Sequence, residues 1–421
     1  MTRRTLYITL GSFLGIILVG VLIYTFFIRG TTGGSSQNNA ETPIFGQTPG
    51  TVTAPGGSTV GGEGEGNLPG GTQGPDITGA PPRLHLVAGK PTAGATVALS
   101  TSSSEVTRYV ERESGHLFEV AMDSTQVKRI TNTTIPKIYG AEWVGTSDNI
   151  LLRLFDDTNE RIQTFLGKIS TEGSAVSGSY LEEGILSTAI SPNGKNIFYL
   201  RAENGGVAGV TTDSTLVSRV RVFTSPLSEW LPLWLGASPG VLTKPSGNFP
   251  GFLYRINAQT AGLERVLGDI NGLTALSSPD GKRVLYSQTL GSSIYLNSLL
   301  IGSGKTTSIA VSTLPEKCVW SVLRPAIVIC AIPFAVSGDT NGVYPDLWYQ
   351  GRASFSDNLW QINTDTGAAS ILFRFSFETK NTYDATSLHL SPKEDHLIFT
   401  NKKDLTLWSV RLGAASTAPS R

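Results

Sequence analysis

Apolar and polar positions alternate along residues 83–412 in short runs, and Gly, Pro, Asn, Asp and Ser gather between the runs. A period of two marks half-buried β-strands, whose successive side chains point to opposite faces of a sheet. Three stretches repeat one form: STAISPNGKNIFYLRA (187–202), TALSSPDGKRVLYSQT (274–289) and SLHLSPKEDHLIFTNK (387–402). In each, an apolar strand runs into Ser-Pro, a polar turn reverses the chain, and a second strand follows. Proline presets φ for the turn, and Asn-Gly or Asp-Gly supplies the positive φ values. A second hairpin form follows in HLFEVAMDSTQVKRIT (116–131), FLYRINAQTAGLERVLG (252–268) and NLWQINTDTGAASILF (358–373). Two hairpins make one four-stranded antiparallel sheet.

The innermost strands are expected near Trp143, Ala189, Leu233, Ala275, Val319 and Leu388, at spacings of 46, 44, 42, 44 and 69 residues. A four-stranded unit recurring every 40–45 residues or so predicts a β-propeller. Residues 95–131 add one more unit, giving an all-β, seven-bladed propeller over residues 83–412. The last blade runs out of chain after three strands, and Arg83–Val87 (RLHLV) is the candidate to complete it. Such closure hides strand edges.

The SPDGK and SPNGK turns, with the LWQINTDTG hairpin, resemble the propeller repeats of TolB-type proteins, and the same repeat type occurs in prolyl-oligopeptidase-like enzymes. The resemblance implies the fold. It implies no Tol–Pal role, because the chain carries an apolar segment and a linker where TolB has a leader peptide and a small α/β domain.

The apolar pattern is continuous at one place only. Residues 6–28 (LYITLGSFLGIILVGVLIYTFFI) hold no formal charge and are long enough to span a bilayer as a helix. The run exceeds a signal-peptide core and lacks a small-residue cleavage site, so it reads as an uncleaved anchor. Arg3 and Arg4 precede it, which places residues 1–5 in the cytoplasm and the remainder outside the membrane. Gly11 and Gly15 form a GxxxG that suits helix pairing. Residues 29–82 are rich in Gly, Ser, Thr and Pro without apolar periodicity, a disordered tether reaching about 40 Å. Residues 413–421 read as a disordered tail.

Composition narrows the partners. Lys+Arg and Asp+Glu balance at 33 each, so no field favours nucleic acid. Two cysteines are too few for a thiolate zinc or iron–sulfur site. No cofactor is expected.

Several motifs look like chemistry. GSGKTT (302–307) ends like a phosphate loop, but the first glycine would fall at Leu299, and the β-branched residues after Lys305 do not open a helix. In repeat register it is a hairpin turn, so nucleotide is not expected. GASPG (236–240) spells a nucleophile elbow, but Pro239 has no N–H for an oxyanion hole. SGDTNG (337–342) has the flavour of a calcium loop without its later glutamate. His389, His396 and His85 fall on the closing blade and His116 elsewhere; strand histidines are the simpler reading, and no metal is assigned.

In CVWSVLRPAIVIC, Cys318 and Cys330 stand symmetrically about Arg324-Pro325. Residues equidistant from a hairpin turn face each other within disulfide range, which suits an oxidising compartment. Two buried thiols are the alternative.

Long insertions are expected at Glu203–Ser218 and Val336–Asp357, between second and third strands. The second carries Tyr344, Trp348, Tyr349 and Phe355, which form either a contact surface or a lid packed on its blade. The leading expectation is a membrane-tethered, extracytoplasmic, non-catalytic propeller that binds a protein, peptide or envelope polymer. The rival is an envelope hydrolase or lyase using carboxylates among Glu142, Asp346, Asp357 and Asp384. Two of these some 5–9 Å apart in a pocket favour the enzyme.

Overall fold

In the computed structural model the described residues are 81–413, apart from 101–102, 145–147, 171–174 and 340. The expected anchor, linker and tail lie outside them, and among the described residues no helix is long and apolar enough to cross a membrane.

Seven four-stranded antiparallel sheets follow one another along the chain. The innermost strands of blades 1 to 7 are Thr92–Leu99, Ile138–Val144, Ile185–Ile190, Trp230–Leu235, Ala275–Ser277, Cys318–Trp320 and Ala385–Leu390. Every expected inner strand is present. The closing blade pairs Leu84–Ala88 with Leu407–Arg411, in the register Leu84↔Val410 and His85↔Ser409. The first and last strands therefore share a sheet, as the missing fourth strand demanded.

Apolar side chains from facing sheets form the core between blades. Phe198, Val222 and Phe223 of blade 3 pack on Trp234 and Val241 of blade 4. Two inner-strand tryptophans also tie neighbouring blades: Trp234 Nε1 donates to the Ala189 carbonyl at 3.1 Å, and Trp320 Nε1 to that of Leu276 at 3.3 Å. A buried indole N–H needs an acceptor, and the preceding blade's innermost backbone supplies one.

The Ser-Pro turns show why their residues recur. Ser278 Oγ donates to Asp280 Oδ1 at 2.6 Å and accepts from the Arg283 amide at 2.9 Å, so the side chains close the turn. Gly281 takes φ +69°, and a Cβ there would meet Gly236 Cα at 2.7 Å. Gly236, the first residue of GASPG, is thus a turn packed against the next blade's turn. In the third repeat the left-handed position is Glu394, at φ +57°. Its buried carboxylate accepts from Ser321 Oγ and from the amides of Val322 (2.6 Å) and Leu323 (3.0 Å). The strained backbone is offset by a clasp between blades 6 and 7.

Two boundaries differ from expectation. Residues 203–218 are not an insertion: Glu203↔Gly206 closes a tight turn, and Gly206–Asp213 is the third strand of blade 3. Its glycines resembled loop, but pairing between two strands outweighs their low strand propensity. The second insertion is real but shorter. The strands Ile327–Gly338 and Ala353–Asn363 pair as far as Gly338↔Ala353 and carry the hairpin beyond its blade. The hairpin Cys318↔Cys330 is bridged by a disulfide, with Cα atoms 4.0 Å apart.

Candidate functional site

The hairpin loop of blade 6, described at residues 339 and 341–352, folds back as a lid with one helical turn, Asp346–Tyr349. Polar bonds latch it to three other blades. Asp346 accepts from Ser246 Oγ (2.9 Å) and the Gly247 amide (2.6 Å) of blade 4. The Tyr344 carbonyl accepts from Thr289 Oγ1 of blade 5 at 2.7 Å, and that of Trp348 from Lys402 Nζ of blade 7 at 2.9 Å. Within blade 6, the Tyr349 hydroxyl donates to Glu316.

The four aromatics divide accordingly. Tyr344, Trp348 and Phe355 are buried with Ile294, Leu314 and Leu347 in one cluster. Only Tyr349 keeps substantial exposure, at 42%. Apolar packing draws the other three rings inward, as in the lid alternative.

Beneath the lid lies a charge network that the sequence did not advertise. Lys317, Asp357 and Asp384 have side-chain exposures of 0%. Lys317 Nζ lies 2.9 Å from Asp357 Oδ2, and it donates to Asp384 and to the Ala385 carbonyl at 3.0 Å. Asp384 also accepts from Trp348 Nε1 (3.1 Å), Ser354 Oγ (3.2 Å) and the Phe355 amide (3.0 Å). Asp357 Oδ2 accepts from the Ala385 amide at 2.7 Å, while Oδ1 has no partner among the described residues. Burial above all, then the like charge of Asp384, pushes Asp357 up to about 6 against the pull of Lys317. The ammonium stands 5.5 Å from the ring of Trp348 and 5.2 Å from that of Phe355, favourable for cation–π attraction. Lys402, whose pKa burial lowers, also places its ammonium 4.6 Å from the centre of the Trp348 ring.

Of the four carboxylates named from sequence, the structure brings together only Asp357 and Asp384, and it closes them off from solvent. Asp346 is spent on the lid's outer latch. Glu142, on the innermost strand of blade 2, accepts from Thr188 of blade 3 at 3.1 Å, and burial raises its pKa. Glu316 is likewise raised by burial.

The other motifs resolve as structure. In the described GSGKTT turn, Gly304 takes φ +69°, and Lys305 is an exposed residue opening the strand Lys305–Ser308. This turn joins the outer two strands of blade 5. In SGDTNG, Asp339 pairs with Arg352 and accepts from the Asn341 amide at 2.7 Å. His116 Nε2 lies 3.2 Å from Thr134 Oγ1. His389, half-buried on the innermost strand of blade 7, is lowered to about 4 by burial. His85 and His396 are buried at the seam between blades 7 and 1.

Lys317, Lys402 and Ser246 are the residues that sequence reading missed. One signal existed: Lys317 stands directly before an apolar inner strand, where a charge demands a partner.

No family model matches the chain, and no curated protein matches it. Among solved structures it is similar to TolB from Acinetobacter baumannii, with 17% identity, 63% of each chain covered and a TM-score of 0.43. It thus spans less than two thirds of that protein. It is also similar to an oligogalacturonate lyase from Vibrio parahaemolyticus (9% identity, 76% of this chain and 97% of that one, TM-score 0.48). A third likeness is to the β-propeller domain of the trilobed protease of Pyrococcus furiosus (10%, 77% and 100%, 0.49). TolB, whose repeats this sequence resembles, is therefore among the matches. The seven-bladed assignment rests on the strand pairing itself.

Proposed function

We propose that this chain is a membrane-tethered, extracytoplasmic propeller that binds a protein, peptide or envelope polymer on its lid-bearing face and performs no catalysis there. One observation carries the reading: the two acids that come together under the lid are bound to Lys317 at zero exposure. A general acid or a nucleophile must reach its substrate, and these serve instead to hold a surface in shape. A rigid, pre-formed surface suits binding, because little ordering entropy is then lost on association.

The lid leaves Tyr349 outward, and aromatic rings are frequent anchors of contact surfaces. Beside the lid hairpin, Phe334 and Phe377 are 54% and 77% exposed and line an open groove of about 580 Å³ with Phe375 and Lys380. The tether and its orientation come from residues 1–82, through the uncharged 6–28 segment and the arginines before it.

The test is affinity capture from crosslinked membranes with the full chain as bait. The wild type is compared with a Tyr349→Ala/Phe377→Ser variant and with a lid shortened across 340–351. Loss of the same specific partners from both variants supports the reading. An unchanged partner set from both would sink it, as would hydrolysis or cleavage of captured envelope polymer that survives only with Asp357 and Asp384 intact.

A further inference from the structure

We propose that the seam between the closing blade and blade 1 binds a divalent transition-metal ion, Zn²⁺ by preference, on Glu105, Asp395 and His396. One ligand atom from each of these lies within 4.8 Å of the others. The set spans the ring closure. Glu105 opens the strand Glu105–Glu111 of blade 1, and Asp395 and His396 end the Ser-Pro turn of blade 7. The same turn docks on Glu105 through the Lys393 amide at 3.0 Å.

The imidazole of His396 shows why a cation fits. The ring is buried, with Nδ1 3.0 Å from Asp395 Oδ1 and Nε2 3.3 Å from Asp123 Oδ1. A neutral imidazole has one N–H, so one of its lone pairs faces a carboxylate unless a second proton or a metal sits there. Metal-bound histidines commonly donate their other N–H to a carboxylate, and here either nitrogen can ligate while its opposite keeps one. Arg411, the cross-strand partner of His396, supplies one positive charge on this face against Glu105, Asp123 and Asp395, and a divalent ion would balance the remaining two.

His85 points the same way independently. It pairs with Ser409, and Ser409 pairs with Ile398, two residues on from His396. Cross-strand partners share a face, so all four side chains face blade 1, where Ile398 packs on Tyr109, Val120 and Met122. His85 is 7% exposed, and its Nδ1 has no partner among the described residues; nor has Ser409 Oγ. The ring lies close enough to His396, Arg411 and Asp123 to feel their charges. Its unpaired Nδ1 is thus a buried polar atom on the face turned to blade 1. Imidazole with carboxylates is a ligand set suited to Zn²⁺, whereas Ca²⁺ takes oxygen ligands. The ion would clasp the last blade to the first.

The test uses the untagged full chain in detergent, stripped with chelator and dialysed against Zn²⁺, with Mn²⁺ and Ca²⁺ in parallel. A single Zn²⁺ per chain is expected, together with a higher thermal midpoint in its presence and much weaker retention of Ca²⁺. His396→Gln should abolish binding. Glu105→Gln and Asp395→Asn, at the rim of the site and tolerable to the fold, should each weaken it at least about tenfold. Absence of stoichiometric Zn²⁺ overturns the proposal. So does Zn²⁺ retained unchanged by both rim variants, or a seam that only gains stability on acidification without binding metal.

Discussion

Replacing Lys317 with methionine keeps the length of the stem and removes only the ammonium from the network under the lid. Asp384 would keep its bonds from Trp348, Ser354 and Phe355, whereas Asp357 would keep the Ala385 amide alone. Removing one partner of a buried ion pair typically costs about 3–5 kcal/mol, because the remaining charge is uncompensated. The share due to Asp357 follows from linkage. Its carboxyl is raised from 3.8 to about 6 in the fold, so it opposes folding above pH 6 and is relieved as pH falls through that value. At about 1.36 kcal/mol per pKa unit, that opposition is about 3 kcal/mol at pH 7.5. Without Lys317 the carboxyl protonates instead, and holding a proton at pH 7.5 against an unfolded value of 3.8 costs about 5 kcal/mol on the same scale. The extra loss is therefore about 2 kcal/mol at pH 7.5, and it vanishes near pH 5, where the native carboxyl is already protonated. Denaturant unfolding of wild type and Lys317→Met at the two pH values measures this. A loss below about 1 kcal/mol at pH 7.5, or one as large at pH 5, would refute the reasoning.

Two groups titrate in opposite senses over one window. His389, lowered to about 4, is held neutral in the fold, so stability is lost as pH falls from 6.5 to 4, by up to about 3 kcal/mol; Asp357 gains stability from pH 6 downward. Stability from pH 6.5 to 4.5 should therefore fall with acid in Asp357→Asn, rise in His389→Gln and change least in the wild type, as unfolding midpoints would show. The double variant Cys318→Ala/Cys330→Ala removes a bridge of sequence separation 12 and should lose about 2–3 kcal/mol in denaturant, with reductant producing the same shift in the wild type. Glu394→Gly restores the easier backbone of the other repeats but loses the bonds to Ser321, Val322 and Leu323. The net is a loss of about 1–3 kcal/mol by thermal or chemical unfolding, and a gain would show that backbone strain dominates.

Much of the architecture was legible because strand period and turn chemistry are local. Ser-Pro-Asp-Gly closes its turn with its own side chains, so its recurrence marked the blades before any contact was known. The Cys318–Cys330 bridge was legible for the same reason, since facing positions in a hairpin follow from counting outward from Arg324-Pro325. The stretch 203–218 misled because Gly206 and Gly209 are loop-like alone; they form a strand because neighbours on both sides complete its hydrogen bonds. The lid aromatics were found, but which way they face was not. Tyr349 and Trp348 are adjacent in the chain, yet one lies outward and the other caps a buried ammonium.

By itself, the sequence determined the all-β class, the number of blades, the closing strand and the facing of the two cysteines, because each depends on residues near one another or on a repeat. Tertiary structure alone decided that Lys317 meets Asp357 and Asp384, that Asp346 reaches Ser246, and that His396 faces Asp123 across the seam. These partners stand 40, 67, 100 and 273 residues apart: the first pair meets within blade 6, the second across the neighbouring blades 6 and 7, the third from the lid of blade 6 to blade 4, and the last only because the ring closes. A charge written into the chain declares that it needs a partner; only the packed fold determines which one it receives.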